Sequence, residues 1–134
     1  MTSFTLRLQD ATRTQEVGGV TSFVGQDASG SFGILAGHAR MMTVLDVGLA
    51  RFRQGQAAWE YLALPGAVLY FRDDVLAIST RRYLRDTDYN RISLDLQERL
   101  LAEEETLRGM KDSLRNLEQE VLKRLWRLGR PDVA

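Results

Sequence analysis

The chain has 134 residues, a length that suits one domain or one small domain with an appendage. Its 18 basic and 18 acidic side chains cancel to a net charge of zero, which argues against nucleic acid as a partner. There is no cysteine and one histidine, His38, which excludes disulfides and zinc sites built from several cysteines or histidines, so we predict no metal and no cofactor.

The N-terminal segment lacks a basic stretch followed by a long apolar stretch, so it does not resemble a signal peptide. No apolar run approaches the roughly 18 to 20 residues that a membrane span needs. We therefore expect a soluble, cytoplasmic chain with no direct membrane insertion.

Residues 1–86 have the composition of a β domain. They hold nine of the eleven glycines and nine of the eleven aromatic residues. Phe4, Leu6 and Leu8 alternate with polar residues, which predicts a half-buried strand. Turn signals recur about every ten residues and predict a sandwich or barrel of short strands. These signals are Gly18-Gly19, Asp27–Gly30, Gln54-Gly55, Pro65-Gly66 and Asp73-Asp74.

Residues 87–134 change to a helical period. Apolar residues recur every seven positions, which is typical of an amphipathic helix, at Leu100, Leu107, Leu114, Val121 and Leu128. Asp88 is a suitable N-cap, and Gly129 followed by Arg130-Pro131 predicts the helix end. We therefore predict an α+β protein with domains 1–86 and 87–134.

The helical part has two candidate architectures, one long helix or an antiparallel hairpin that turns near Gly109. The seven-residue spacing runs through Gly109 unbroken, which permits a single helix. A single helix would leave its leucines in water, however, and burying them stabilises a hairpin. We predict the hairpin, with its turn between Glu105 and Asp112.

Catalytic motifs are missing. The chain has no Gly-x-x-x-x-Gly-Lys-Ser/Thr phosphate loop. Residues 29–33 resemble a Gly-x-Ser-x-Gly nucleophile motif around Ser31, but serine stands at 29 where the motif requires glycine. A hydrolase using Ser31 and His38 remains an alternative, and it predicts an activity lost in His38→Ala. We expect no activity and no enzyme.

The segment Gly30-Ser-Phe-Gly-Ile-Leu-Ala-Gly-His-Ala-Arg-Met-Met-Thr-Val-Leu45 resembles a signature of the epsilon subunits of F-type ATP synthases. That signature typically reads Gly-Glu-x-Gly-Ile-x-Pro-Gly-His-Ala-Pro-Leu-Leu-Thr-x-Leu. The order of the flanking strands and the length of the helical tail are also similar to this family. The resemblance implies a sandwich of about ten strands followed by two helices.

The signature segment implies a set of partner contacts, because in the family this region faces the membrane rotor ring. It assigns contact with the ring or the gamma subunit to Ser31, His38, Arg40, Met41 and Met42. Four of these differ from the family pattern, since Ser31 replaces glutamate, Arg40 replaces proline and the two methionines replace leucines. We expect Phe32, Ile34 and Leu35 to be partly anchored inside.

Some family members bind ATP through an Ile/Leu-Asp-x-x-Arg-Ala segment that opens the first helix. Here the stretch is Thr87-Asp-Tyr-Asn-Arg-Ile92, in which Asp88 and Arg91 match and the two ends do not. Aspartate as a cap followed by arginine one turn later is also common without any nucleotide. The resemblance thus implies ATP only as a regulatory ligand at Asp88 and Arg91, and we do not expect it.

The function implied is that of a non-catalytic central-stalk subunit of a rotary ATPase. It would link the gamma subunit to the membrane c-ring and lie at the inner (plasma) membrane as a peripheral part of the complex. Its acidic 103–105 and basic 124–130 segments are similar to the alternate branch called N-ATPases. The alternative is a free-standing adaptor that dimerises through its C-terminal helix, whereas an isolated epsilon subunit is expected to be mostly monomeric.

Overall fold

The computed structural model describes residues 2–129, which form nine strands followed by helix. The strands are β1 (Phe4–Gln9), β2 (Thr14–Asp27), β3 (Gly30–Ile34), β4 (Met41–Leu45), β5 (Gly48–Gln54), β6 (Glu60–Leu64), β7 (Ala67–Arg72), β8 (Val75–Ser79) and β9 (Leu84–Asp86). Then come α1 (Tyr89–Asp95), a π-helical segment (Leu96–Leu101) and α2 (Ala102–Gly129). The predicted α+β class with an N-terminal β-sandwich is confirmed, with nine strands where about ten were expected.

The long strand β2 connects the two layers of the sandwich. Its first half pairs with β1, and its second half pairs with β3 and β5. The hydrogen-bonded order is β1-β8-β7-β4-β2-β5-β6-β9, with β3 on β2. Because β1 also pairs with β2, one half of the sheet closes on itself and encloses the core.

Gly18 and Gly19 form a bulge inside β2. The register of β2 against β1 shifts between the pairs Phe4–Val20 and Leu6–Val17, and Gly19 has a φ of 65°. The predicted turn at these glycines is therefore wrong. A bulge uses the same positive φ as a turn, so a glycine pair cannot distinguish the two.

Alternation along the strands places one set of side chains in a continuous core between the layers. The three phenylalanines Phe23, Phe52 and Phe71 are fully buried there with the aliphatic residues of β1 and β8. Tyr83 is also fully buried, and its hydroxyl donates a hydrogen bond of 2.6 Å to Oε1 of Gln15. The hydroxyl of the largest core side chain is thus satisfied.

The first helical turns pack on the outside of the sandwich. Ile92 of α1 and Leu100 of the π-helical segment are buried against Ala63 of β6. The chain divides into two compact units at the junction of Leu101 and Ala102, so these turns belong with the strands. The division into domains 1–86 and 87–134 stays a prediction drawn from composition.

α2 is one continuous helix, and the predicted hairpin is wrong. Helix runs without interruption through residues 105–112, where the turn was expected. A Cβ on Gly109 would meet nothing within 4 Å, so this position needs no glycine. Good helix formers surround Gly109, and no proline or second glycine supports a turn. Arg130 and Pro131, the predicted helix stop, lie outside the described residues.

Candidate functional site: the β3–β4 loop and its neighbours

The loop of residues 35–40 carries the chain from β3 to β4 and is held by two hydrogen bonds. The His38 amide donates to the Leu35 carbonyl at 3.1 Å, which closes a turn. Gly37 has a φ of 80° inside that turn, and its amide donates to Oδ1 of Asp74 at 2.7 Å. The loop is thus a defined surface feature, as binding loops on rigid scaffolds are.

His38 lies at the surface of this loop. Its Nδ1 is 2.7 Å from the Ala39 carbonyl, and its ring lies edge-on to Phe71 with centroids 5.8 Å apart. The contact with the carbonyl orients the imidazole, and the residue as a whole is exposed. This arrangement suits contact with a partner.

Ser31 occupies a different surface. It lies on β3 opposite Gln26 and borders a shallow groove lined by Leu49, Tyr61 and Tyr89. His38 instead contacts Phe71 of β7. The structure therefore does not assemble a nucleophile and base from Ser31 and His38, which removes the geometric basis of the hydrolase alternative.

The other predicted contact residues follow the loop into β4. Arg40 is exposed, and Met42 is 68% exposed opposite Tyr70. Met41 is half-buried opposite Phe71 and packs on the core, so it offers a partner only part of its side chain. His38, Arg40 and Met42 are thus all exposed within a five-residue stretch, whereas Ser31 lies on β3.

The three residues expected to anchor the signature segment differ in how deeply they are buried. Ile34 is fully buried, and Phe32 is partly buried against the core. Leu35 is 62% exposed, so its predicted burial is wrong. Its strand has ended at Ile34, and the loop that follows turns its side chain outward.

An apolar surface that the sequence analysis missed lies beside the loop. Met42 and Val44 of β4 pair with Tyr70 and Val68 of β7. Val44 is 64% exposed and Val68 is 47% exposed, while Tyr70 is half-buried. We call these four residues the β4–β7 patch. The sequence contains a pattern that predicts this patch, because residues 67–71 are all apolar. A strand of that kind has apolar side chains on both of its faces.

Asp88 and Arg91, the predicted nucleotide ligands, form hydrogen bonds with other residues of the chain. Asp88 is the N-cap of α1, as predicted, and accepts from the Arg91 amide at 3.1 Å. The Arg91 guanidinium donates to both carboxylate oxygens of Asp86, at 2.5 and 2.8 Å. ATP would have to compete with Asp86 for this arginine, and regulatory nucleotide binding stays a prediction.

The Asp86–Arg91 pair sets the electrostatics of the junction between β9 and α1. The hydrogen bonds from Arg91 lower the pKa of the Asp86 carboxyl, and the Asp88 amide, 2.9 Å from Oδ1, adds to the effect. The same pairing raises the pKa of Arg91. Both groups therefore remain charged at neutral pH and hold the start of α1 on the last strand.

Sequence comparisons agree on one family. The family model of the ATP synthase delta/epsilon chain β-sandwich domain matches residues 3–86. ATP synthase epsilon chain 2 of Cereibacter sphaeroides is 28% identical over 110 residues, covering 81% of this chain and 75% of the relative. The ATP synthase epsilon chain of Acaryochloris marina is 33% identical over 76 residues, covering 57% and 54%.

Solved structures share the fold. A chain of the Euglena gracilis mitochondrial ATP synthase superposes with a TM-score of 0.59 at 18% identity, covering 73% of this chain and 64% of that one. A chain of the Tetrahymena thermophila mitochondrial ATP synthase central stalk/c-ring has a TM-score of 0.55 at 14% identity, covering 86% and 95%. The predicted resemblance is confirmed, and the chain belongs to the ATP synthase delta/epsilon family as an epsilon subunit, a non-catalytic part of that complex.

Proposed function

We propose that this subunit works in the central stalk, where it joins the gamma subunit to the membrane c-ring and transmits torque between them. The β4–β7 patch beside the loop of residues 35–40 is the observation that carries this proposal. The patch is apolar and exposed, and the exposed Arg40 precedes its residue Met42 by two positions in the chain. The Tetrahymena chain of the same fold comes from a central stalk/c-ring structure, which supports the placement.

The β4–β7 patch is the surface we assign to the gamma subunit. Three of its side chains are between 47% and 68% exposed, although burying an apolar side chain of this size is worth about 1.5–3 kcal/mol. A contiguous exposed apolar area is typical of a protein contact. The face of two paired strands is also broad enough to take a helix of a coiled coil.

The loop of residues 35–40 is the surface we assign to the c-ring. Arg40 presents a planar guanidinium that donates to a carboxylate or to backbone carbonyls of a ring loop. His38, two residues earlier in the same loop, is exposed as well. Proline, which the family signature has at position 40, offers no such donor, so this subunit has a polar group at this point of the proposed contact that the signature lacks.

This assignment places the subunit at the membrane surface without entry into the lipid. No helix within residues 89–129 is long and apolar enough to cross a bilayer. Contact with the c-ring accounts for attachment to the inner (plasma) membrane, and the subunit takes part in ion-coupled ATP synthesis or hydrolysis. Family membership decides against the free-standing adaptor, and the N-ATPase branch stays a prediction.

Binding to a purified gamma–c-ring subcomplex from the same source tests the proposal. We expect Arg40→Glu and Val68→Glu each to weaken binding at least about tenfold, which is 1.4 kcal/mol. The first variant reverses the charge at the proposed ring contact, and the second introduces a carboxylate into the apolar β4–β7 patch. Val47→Glu is the matched control, since Val47 and Val68 are both 47% exposed and Val47 lies outside the patch.

All three variants are surface changes and should keep the free energy of unfolding within about 0.5 kcal/mol of the parent chain. Absence of binding by the parent chain would overturn the proposal. Equal weakening by Val68→Glu and Val47→Glu would show that the patch is not the contact, even if the subunit binds.

A further inference from the structure

Arg51 and Arg53 lie on the outer face of β5. They alternate with Ala50 and Phe52, which point into the core, so both arginine side chains are on the opposite side of the strand. At the usual rise of a strand, their Cα atoms are about 6.7 Å apart. In the hydrogen-bonded order, β5 and β6 lie on the other side of β2 from β4 and β7. This face is therefore separate from the β4–β7 patch.

Both guanidinium groups lie over the indole of Trp59, the residue that precedes β6. The Cζ atoms of Arg51 and Arg53 are 4.5 Å and 5.2 Å from the centroid of that ring. A cation at this distance is attracted by the π electrons of tryptophan. The contact restricts two long side chains before any ligand arrives, so less conformational entropy is lost on binding.

Neither arginine forms an ion pair with a carboxylate of residues 2–129. Glu60, the acidic residue of the neighbouring strand β6, already accepts hydrogen bonds of 2.5 and 3.2 Å from Arg85. The Nε atom of Arg53 is buried and donates to no acceptor in this part of the chain, which is uncommon for a buried donor. The two positive charges are thus uncompensated within the described chain.

Two tyrosines continue this surface from β5 toward α1. Arg51 lies opposite Tyr61 of β6, and the ring of Tyr61 meets that of Tyr89 edge-on with centroids 5.4 Å apart. Arg51 and both tyrosines line the same shallow groove, and Tyr89 is 55% exposed. Arginine, tryptophan and tyrosine are the residue types enriched at the energetic centres of protein contacts. We use the name β5–β6 face for Arg51, Arg53, Trp59, Tyr61 and Tyr89.

We propose that the β5–β6 face binds an acidic segment of another protein, with one carboxylate on each of Arg51 and Arg53 and neighbouring side chains on the two tyrosines. A guanidinium group matches the geometry of a carboxylate and binds it through two hydrogen bonds. Acidic residues three or four positions apart on a helix have Cβ atoms about 5–6 Å apart, and alternate residues of an extended segment are about 6.7 Å apart. Both spacings fit the two arginines.

The chemistry of the β5–β6 face favours a protein over a nucleic acid. Nucleic acids are bound through many phosphate contacts, whereas this face offers two arginines on a chain of zero net charge. The inference goes beyond the contacts proposed with the gamma subunit and the c-ring, and it uses none of the residues that carry them.

Fluorescence of Trp59 measures this binding, because both arginines lie on its ring. The chain has two tryptophans, so Trp126→Phe leaves Trp59 as the one source of tryptophan emission. The probe is a synthetic peptide in which glutamate alternates with serine, and its control has glutamine in place of glutamate. We expect a saturable change with a Kd of about 1 mM for the acidic peptide, as for a contact made by exposed ion pairs, and no change with the control.

Substitutions test whether the two arginines make the contact. Arg51→Gln and Arg53→Gln should each weaken binding about threefold, as expected from the loss of one exposed ion pair. Arg7→Gln is the matched control, because Arg7 already pairs with Glu16 at 3.1 Å on another strand, and it should leave the Kd unchanged. Circular dichroism checks that each variant is folded.

Charge reversal tests the chemistry of the contact. The chain with Arg51→Glu and Arg53→Glu should lose the acidic peptide and should bind the same peptide with lysine in place of glutamate. Equal weakening by Arg7→Gln, or no response to the acidic peptide, would overturn the proposal. The same response to inorganic phosphate at equal concentration would also overturn it, because it would show a site for any small anion.

Photocrosslinking locates the acidic segment in the assembled ATP synthase, and this step alone rests on the proposed function. With p-benzoylphenylalanine in place of Leu49, which lines the same groove, we expect a crosslink to a segment that carries acidic residues two to four positions apart. A crosslink to a segment without acidic residues would overturn the proposal. Failure of the parent chain to assemble would contradict the proposed function only, because the peptide titration does not depend on the complex.

Discussion

The amide of Gly37 donates a hydrogen bond to the carboxylate of Asp74, and this bond ties the β3–β4 loop to the turn between β7 and β8. Asp73 and Asp74 form that turn with φ values of 50° and 57°, the positive values that a two-residue hairpin of type I′ requires. The Asp74 carbonyl also accepts from the Thr5 amide at 3.0 Å. One residue therefore connects the start of β1, a hairpin turn and the loop proposed to meet the c-ring.

Replacement of Asp74 separates its side-chain bond from its backbone conformation. Asp74→Gly tolerates the positive φ but removes the acceptor of Gly37, so we expect hydrogen exchange of the Gly37 amide to rise about tenfold. Asp74→Asn keeps both an acceptor oxygen and tolerance of positive φ, and should leave that exchange rate near the parent value. Equal protection of Gly37 in all three chains would show that the turn closed by His38 and Leu35 holds the loop alone.

Acid should weaken the junction between β9 and α1 through Asp86. Its pKa in the folded chain is below the ordinary 3.8, so the pairing with Arg91 stabilises the fold above about pH 4. That contribution is lost as the pH falls below 3.8 and the carboxylate takes up a proton. An NMR titration should show Asp86 ionised well below pH 3.8, and Arg91→Gln should move its pKa upward toward 3.8.

Arg108→Gln supplies the control for this titration. Arg108 and Glu105 form an exposed pair with nitrogen and oxygen 3.8 Å apart, and such a pair contributes little. The free energy of unfolding should fall in Arg91→Gln by an amount that is constant above pH 4 and shrinks in acid. A pH-independent loss in Arg91→Gln would mean that the arginine acts by packing instead of by its charge.

Local patterns were sufficient to predict most of the sandwich. Alternation predicted β1, and the turns at Asp27–Gly30, Pro65-Gly66 and Asp73-Asp74 all separate consecutive strands. Such signals are local, because a turn needs particular φ values that few residues adopt. The prediction of a turn at Gly18-Gly19 was wrong because a glycine pair with positive φ occurs both in turns and in β-bulges. Only the pairing of β1 with β2 decides between the two.

The helical tail and the site depended on relationships that are not local. Leu100 was predicted to begin the apolar seven-residue spacing of the helix, yet both it and Ile92 are buried against Ala63, more than 25 residues earlier in the chain. The β4–β7 patch likewise exists only because β4 and β7 pair in a register that aligns Val44 with Val68. The family resemblance predicted that residues 31–42 carry the partner contacts. It did not predict the cluster around Ala63 or the β4–β7 patch.

Truncation should show where the folding unit ends. A chain that stops after Leu101 keeps Ile92 and Leu100 on the sandwich, whereas one that stops after Asp86 loses both and exposes Ala63. Burial of two aliphatic side chains is worth about 3–6 kcal/mol, so we expect the shorter chain to unfold at clearly lower denaturant concentration. Chemical unfolding followed by the fluorescence of Trp59, which both truncated chains retain, measures the difference.

The double substitution Ile92→Ala and Leu100→Ala in the full chain is the control, because it removes these two side chains without shortening the backbone. It should lose less stability than removal of residues 87–134, because it keeps the pairing of Arg91 with Asp86. Equal stability of the two truncated chains would place the boundary after Asp86, at the change in composition.

Gly109→Ala should leave the hydrodynamic radius unchanged and should stabilise α2. A hairpin that required glycine at its turn would open in this variant, and the hydrodynamic radius would rise. In the continuous helix, position 109 has helical backbone and open space around a new Cβ, so the radius should stay constant. Alanine in place of an exposed mid-helix glycine stabilises a helix by about 1 kcal/mol.

The radius is measured by diffusion, and helix melting is followed by circular dichroism. Gly25→Ala gives the opposite case, because its Cβ would lie 2.9 Å from Cε1 of the buried Phe23 and should destabilise the sandwich. A rise in radius in Gly109→Ala alone would restore the hairpin. An unchanged radius together with a higher helix melting temperature is the result expected of a helix that already passes straight through Gly109, where alanine has the higher helix propensity.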